Sequence, residues 1–164
     1  MLFTIRRAEP ADVAIIARFN QGIALETEGK QLDPVVLDHG VRAVFADPSR
    51  GFYTVAERGG EVVGQVMITY EWSDWRNGWF WWIQSVYVRE DARRQGVFRL
   101  LFDHIRQEAE ADASVIGLRL YYDRENERAH GTYRTLGLVD TDYGMMELYP
   151  LAGRADAIAD ATRQ

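Results

Sequence analysis

Val86-Tyr87-Val88-Arg89-Glu90-Asp91-Ala92-Arg93-Arg94-Gln95-Gly96-Val97-Phe98-Arg99-Leu100-Leu101 joins a strand to a helix through a basic turn. Upstream, Trp79 to Val88 reads as a strand, unusually aromatic. Downstream, Val97 to Glu110 carries Phe98, Leu101, Phe102 and Ile105 as an apolar stripe at helical spacing. Between them, Arg93-Arg94-Gln95-Gly96-Val97-Phe98-Arg99 presents successive backbone N–H groups where a helix start adds partial positive charge. Arg93, Arg94 and Arg99 add full charges. That combination suits a diphosphate or a similar oxyanion. It lacks the Lys-Ser/Thr end of a Walker loop and the three-glycine spacing of a dinucleotide fingerprint. Without its flanking elements, the same stretch reads as a solvated basic turn balancing Glu90 and Asp91.

On the N-terminal side, Thr4 to Arg7 reads as a first strand. Glu9-Pro10-Ala11-Asp12 opens a helix running towards Glu26 or Glu28, with Gly22 as a weak point. Asp33-Pro34 caps a second helix that Asp47-Pro48-Ser49-Arg50-Gly51 ends. Phe52 to Glu57 and Glu61 to Tyr70 form a hairpin across Arg58-Gly59-Gly60, because a Gly-Gly pair tolerates positive φ. Glu71 to Gly78 reads as the link to the aromatic strand. After the basic turn come a strand from Val115 to Tyr122, a short helix from Asn126 to Leu136 stopped by Gly137, and a last strand from Thr141 to Leu148. The order predicts one mixed α/β domain over residues 1–150, a largely antiparallel sheet flanked by helices. The alanine-rich tail, 151–164, reads as a docked helix or a disordered end.

Of the 164 residues, 47% are hydrophobic, enough for one core, and the formal charge is −6 from 19 basic and 25 acidic side chains. The acidic balance argues against a nucleic-acid backbone or an anionic membrane as partner, and the basic groups make one anion-sized cluster, not a stripe. Cysteine is absent, which excludes disulfides, thiolate nucleophiles and Cys-type metal sites. His39, His104 and His130 have no metal-ligand spacing, and no metal is expected. The start Met1-Leu2-Phe3-Thr4-Ile5-Arg6-Arg7 lacks a signal-peptide core, and no apolar run approaches a membrane span, so the expected compartment is the cytoplasm.

The quoted stretch resembles the acetyl-CoA-binding motif of the GCN5-related N-acetyltransferase (GNAT) superfamily, Arg/Gln-x-x-Gly-x-Gly/Ala at a strand-to-helix turn. Arg93 and Gly96 match its first and fourth positions, and Phe98 replaces the final small residue. Asn126-Glu127-Arg128-Ala129-His130-Gly131-Thr132-Tyr133, followed by Leu136-Gly137-Leu138, resembles the later motif of the same superfamily, with Asn126, Ala129 and Tyr133 in register. The resemblance runs from Ile5 to about Leu148. It implies the GNAT acyl-CoA N-acyltransferase fold, with acetyl-CoA as cosubstrate.

Carried onto this chain, the resemblance places backbone groups of Val86 and Val88 beside pantetheine, in a slot where two strands splay apart. The Val86 N–H becomes a candidate donor to the thioester oxygen, where charge develops during acyl transfer. Arg93, Arg94, Gln95, Gly96, Val97, Phe98 and Arg99 would hold the pyrophosphate, with the Phe98 ring turned towards Phe102. Asn126 and Ala129 would lie along the cofactor, and Tyr133 would act as general acid to the leaving thiolate. Read alone, Tyr133 is a core tyrosine and Asn126 a helix cap.

For the acceptor, Glu26 and Glu28 lie near the exit of the first helix, Trp75 lies in the loop before the aromatic strand, and Gln84 lies within that strand. Candidate bases are Glu26, Glu28, Glu71 and Asp74. Tyr70 to Trp75 also resembles diamine or thialysine acetyltransferases, but Gln84-Ser85 stands where those relatives carry Glu-Asp. All five tryptophans fall between Trp72 and Trp82; Trp81 and Trp82 must face opposite sides of a regular strand. The expected activity is acetyl transfer to a primary amine, of a small molecule in the first instance, by direct attack through a tetrahedral intermediate. Protein N-terminal or lysine acetylation, a noncatalytic acyl-CoA sensor and an interaction protein using the tryptophan strand stand as alternatives, and a homodimer is expected from the superfamily.

Overall fold

The computed structural model describes residues 3–153 and the backbone of 158–160. Its elements are β1 (Thr4–Arg7), α1 (Val13–Glu28), β2 (Lys30–Leu32), α2 (Pro34–Ala46), β3 (Phe52–Arg58), β4 (Glu61–Ser73), β5 (Gly78–Val88), α3 (Val97–Ala111), β6 (Val115–Leu120), α4 (Glu127–Thr135) and β7 (Ile158–Asp160). The main sheet has the order β1-β3-β4-β5-β6. Its pairs are antiparallel except β5 with β6, which run parallel across the α3 crossover.

Each face of the sheet has its own core. Val97, Leu101, Phe102, Ile105 and Ala109 of α3 pack on Val66, Ile68, Trp81 and Ile83. On the other face, Val13 and Ile16 of α1 and Val41 and Val44 of α2 meet Tyr53 and Val55. Trp81 is buried in the first core, while Trp82 lies on the opposite face against Tyr121, ring centroids 4.4 Å apart. The Gly59-Gly60 hairpin forms as expected, both residues at positive φ. Asp33 caps α2 by accepting from the N–H groups of Val35 and Val36. Gly22 does not break α1. A Cβ there would sit 3.1 Å from the Tyr87 ring, so the glycine lets the helix lie close on β5.

Three readings of the sequence change. The Glu71–Gly78 link is shorter than expected, because β4 continues to Ser73 and pairs Trp72 with Trp79 and Glu71 with Phe80. Cross-strand aromatic contact, 4.9 Å between the Trp72 and Trp79 rings, supports that extension. The strand expected over Thr141–Leu148 is absent, and Met145, Met146 and Leu148 are exposed. Strand-forming residues need a partner edge. Here Asp140 is drawn to α4 instead, accepting from Tyr122, His130 and Arg134. In the tail, Ile158–Asp160 is neither helical nor irregular but pairs antiparallel with Lys30–Leu32; the rest of that reading, at 154–157 and 161–164, lies outside the described residues.

Candidate active site

The end of β5 is shaped by one extra residue. Gln65 pairs with Tyr87 and Met67 with Gln84, so Ser85 and Val86 stand opposite Val66 alone. Ser85 takes φ +46°, a left-handed conformation uncommon outside glycine. This bulge reverses which residues face which neighbour. Before it, the Trp79 N–H donates to Ser114 O on the β6 side; after it, the Arg89 N–H donates to Val63 O on the β4 side. Strand alternation therefore turns the main-chain groups of Val86 and Val88 away from β4. The Val88 carbonyl agrees, accepting from Arg93 Nε at 2.8 Å. On that side the β6 pairing stops at Ile83 with Leu120, which opens a slot along Gln84–Val88.

The basic turn follows directly. Arg94 and Gly96 both have positive φ, +64° and +81°, backbone of the kind that curls successive N–H groups around an anion-sized concavity. Among the described residues no side chain caps α3, whose first N–H groups, on Val97, Phe98 and Arg99, have no acceptor within the helix. A Cβ on Gly96 would meet nothing within 4 Å. Arg94 and Arg99 are exposed, with no ion pair among the described residues. Unpaired donors, an open cradle and two available guanidinium groups fit a diphosphate. The Gln95 side chain folds back onto Asp91 O at 2.8 Å, which leaves its backbone to face the concavity. Asp91 itself is clamped by Arg89 and Arg58, which hold its carboxyl down to about 2.

Arg93 is placed differently from its neighbours. Its Nη2 donates to both Glu26 oxygens, at 3.0 and 2.8 Å, and the Tyr87 hydroxyl donates to the same carboxylate at 3.1 Å. Glu26 thus ties α1 to the end of β5 and does not line the neighbouring cavity. Glu28 does line it. A cavity of about 230 Å³ is bounded by Asn20, Ile23, Ala24, Glu28, Lys30, Leu32, Leu37 and Ser85, and so reaches the bulge. Gln84, one residue before Ser85, does not line it and donates to Thr69 Oγ1 at 2.6 Å. Trp75 sits at the β4–β5 turn, 84% exposed, and seven residue steps along the strand, about 23 Å, separate Gly78 from Ser85. Trp75 and the slot are not brought together.

On the α3 side, Phe98 packs half-buried against the core, its ring centroid 6.3 Å from Phe102 and 5.8 Å, edge-on, from Tyr133. The Tyr133 hydroxyl has no hydrogen bond among the described residues, and burial pushes its phenol above the ordinary value. Asn126 caps α4 by accepting from the Ala129 N–H at 3.0 Å.

The sequence profile of the acetyltransferase (GNAT) family matches residues 20–138, which span the bulge, the turn and Tyr133. The chain belongs to the GNAT acetyltransferase family. It is an acetyl-CoA-dependent acetyltransferase. A possible acetyltransferase from Clostridium difficile 630 is 46% identical over 92% of this chain and 99% of its own, with a TM-score of 0.85. A predicted acetyltransferase from Clostridium acetobutylicum, in a crystal structure with acetyl-CoA, shares the fold at 17% identity, 90% and 96% coverage and a TM-score of 0.73. So does a transcriptional regulator from Bacillus halodurans C-125, at 21% identity, 90% and 100% coverage and 0.76. No curated protein matches the chain.

Sequence reasoning did not single out Asn20 or Gln65 in this acetyltransferase. Gln65 is fully buried, and its Nε2 donates to Asn20 Oδ1 at 2.6 Å and to Ser85 O at 3.1 Å. A signal was available: a lone amide inside Val62-Val63-Gly64-Gln65-Val66-Met67-Ile68 must satisfy its donors within the fold. Among the described residues no group of His, Asp or Glu is arranged to hold a metal, and no helix is long and apolar enough to cross a membrane.

Proposed function

We propose that residues 1–150 form a single catalytic domain that acetylates a primary amine of a small molecule, bound in the cavity between α1 and the β5 bulge. The observation that carries this reading is the bulge itself: one wall of the cavity is Ser85, and the next residue, Val86, turns its amide into the slot. Acceptor and acyl group then meet across a single residue. The limited cavity volume, about 230 Å³, favours a small acceptor.

Acetyl-CoA, when bound, supplies an activated thioester carbonyl and a thiolate leaving group. Arg94, Arg99 and the backbone of Gln95–Arg99 hold its pyrophosphate, with Arg93 steadying the strand end through Val88 O. Asn126 and Ala129 flank the pantetheine path. The Val86 N–H stabilises the oxygen on which negative charge develops. Tyr133 is protonated at neutral pH, as a phenol with an ordinary value near 10 is, and burial moves that value further up, so it can protonate the departing sulfur. Of the acids weighed as bases, Glu26 is held by Arg93, Glu71 by Arg119 and Trp82, and Asp74 starts the distant β4–β5 turn. Glu28 is also ion-paired, to Lys30 at 2.6 Å, but unlike Glu26 and Glu71 it lines the cavity, and on that placement it takes the role of orienting the amine and accepting its proton.

The test is an acetyl-CoA titration followed by tryptophan fluorescence and calorimetry, then an amine screen read by free-thiol release. Saturable binding with amine-dependent thiol release supports the reading. Tight binding with no thiol release across peptide and small amines points instead to an acyl-CoA sensor. Turnover of peptides alone overturns the small-molecule acceptor.

A further inference from the structure

We propose that Gln65 and Asn20 are positioning residues that hold the Ser85 bulge in its left-handed form and thereby aim the Val86 amide into the slot. The proposal rests on the reading above that this amide faces the thioester oxygen.

An L residue at φ +46° is strained, and Ser85 needs surroundings that over-determine it. Gln65 supplies them. It lies on the neighbouring strand, opposite Tyr87 and next to Val66, which alone faces the bulge, and it is fully buried. Its Nε2 spends one proton on Ser85 O and the other on Asn20 Oδ1, so both of its donors are used and the nitrogen end of the amide is fixed. Asn20 is fixed in turn from α1, where its Nδ2 reaches the buried Tyr53 hydroxyl at 3.4 Å. Three elements, α1, β3 and β4, thus converge on one carbonyl of β5. Gln65 Oε1 has no donor among the described residues, although it is fully buried. A buried amide with an orphaned acceptor is a poor choice for stability alone. Its placement is explained by what Nε2 does to Ser85.

The bulge also decides parity. Were Ser85 to relax into regular strand, the residues beyond it would exchange sides, and Val86 would face β4 instead of the slot. Gln65 therefore acts on the reaction through Val86 without touching the reactants.

The experiment uses the full chain with Gln65→Leu, and the same change combined with Ser85→Gly, which removes the left-handed penalty. Expected for Gln65→Leu is a kcat lower by about tenfold or more, with the acetyl-CoA Kd within about twofold, because the phosphate turn is untouched. The Tm should move by only a few degrees, since the orphaned acceptor leaves with the lost donors. Backbone hydrogen exchange over 84–88 should accelerate in the absence of acetyl-CoA. Adding Ser85→Gly should recover most of the lost kcat.

Wild-type kcat and exchange in folded Gln65→Leu would overturn the proposal. So would a kcat loss that travels with Kd and a large fall in Tm and is not recovered by the glycine, since that pattern belongs to a merely structural residue. Exchange over 84–88 in the wild type, with and without acetyl-CoA, separates this inference from the reading beneath it. Protection on binding supports the role of the Val86 amide. No protection, with exchange still dependent on Gln65, removes that role while leaving the hold on the bulge intact.

Discussion

Replacing Gly96 with alanine separates the conformational role of the turn from its role towards phosphate. Gly96 has φ +81°, and the added methyl would meet nothing within 4 Å. No clash contributes, so the stability loss is the left-handed strain alone, about 1–2 kcal/mol. At this chain length that lowers Tm by about 2–8 °C. Gly59, at φ +61° in the β3–β4 hairpin and also with nothing within 4 Å, carries the same kind of strain away from the turn. Gly59→Ala is therefore a matched control. The two variants part on cosubstrate binding. In the proposed reading the open space over Gly96 is the phosphate cradle, and displacing a phosphate there would remove one charge-assisted hydrogen bond, about 1.5–3 kcal/mol. Acetyl-CoA affinity should fall about 10- to 150-fold in Gly96→Ala and stay unchanged in Gly59→Ala. Calorimetric titration and thermal melts of both variants suffice. Equal affinity in wild type and Gly96→Ala, with the Tm loss present, would refute the assignment of the cradle.

Tyr133→Phe should lower kcat by about 10²-fold with little change in acetyl-CoA Kd, as expected for a lost acid. Because burial raises the phenol above its ordinary value near 10, kcat of the wild type should not fall through Tyr133 ionisation anywhere below about pH 10, which a pH–rate profile checks. Glu28→Gln should raise the KM for the amine at neutral pH while leaving acetyl-CoA binding unchanged; an unchanged amine KM would remove Glu28 from the acceptor site. Away from the site, burial alone would raise the Asp12 carboxyl, but hydrogen bonds from Arg6 and the Glu9 N–H hold it below its ordinary value. Its contribution is present above the unfolded value near 4 and is lost as pH falls through the lower folded one. The Tm gap between wild type and Asp12→Asn should thus be widest near neutrality and close in acid; a gap independent of pH would contradict the assignment.

Local features were legible because local physics makes them. Gly59-Gly60 can form a tight hairpin wherever the fold puts it, and Asn126 caps α4 through a neighbour three residues away. The α3 stripe of Leu101, Phe102 and Ile105 is buried as its spacing requires. Phe98, although it departs from the family motif, follows that stripe towards Phe102 while its N–H stays at the turn. Residues 141–148 mark the limit of this kind of reading. Their strand character is intrinsic, but a ladder is a property of two segments, and Asp140 is bonded to α4.

The sequence by itself determined the strand–turn–helix joint, the open amides after Gly96 and the order of the two motifs, since each depends on residues within a turn or two of one another. Only the tertiary structure decided which side of β5 faces the slot, because that turns on a bulge at a serine no local pattern announces. It also decided that Glu26 grips Arg93 from 67 residues away while Glu28, two positions on, lines the cavity. Helix phase separates those two glutamates, and phase becomes function only when α1 is laid across β5, with Gly22 against Tyr87.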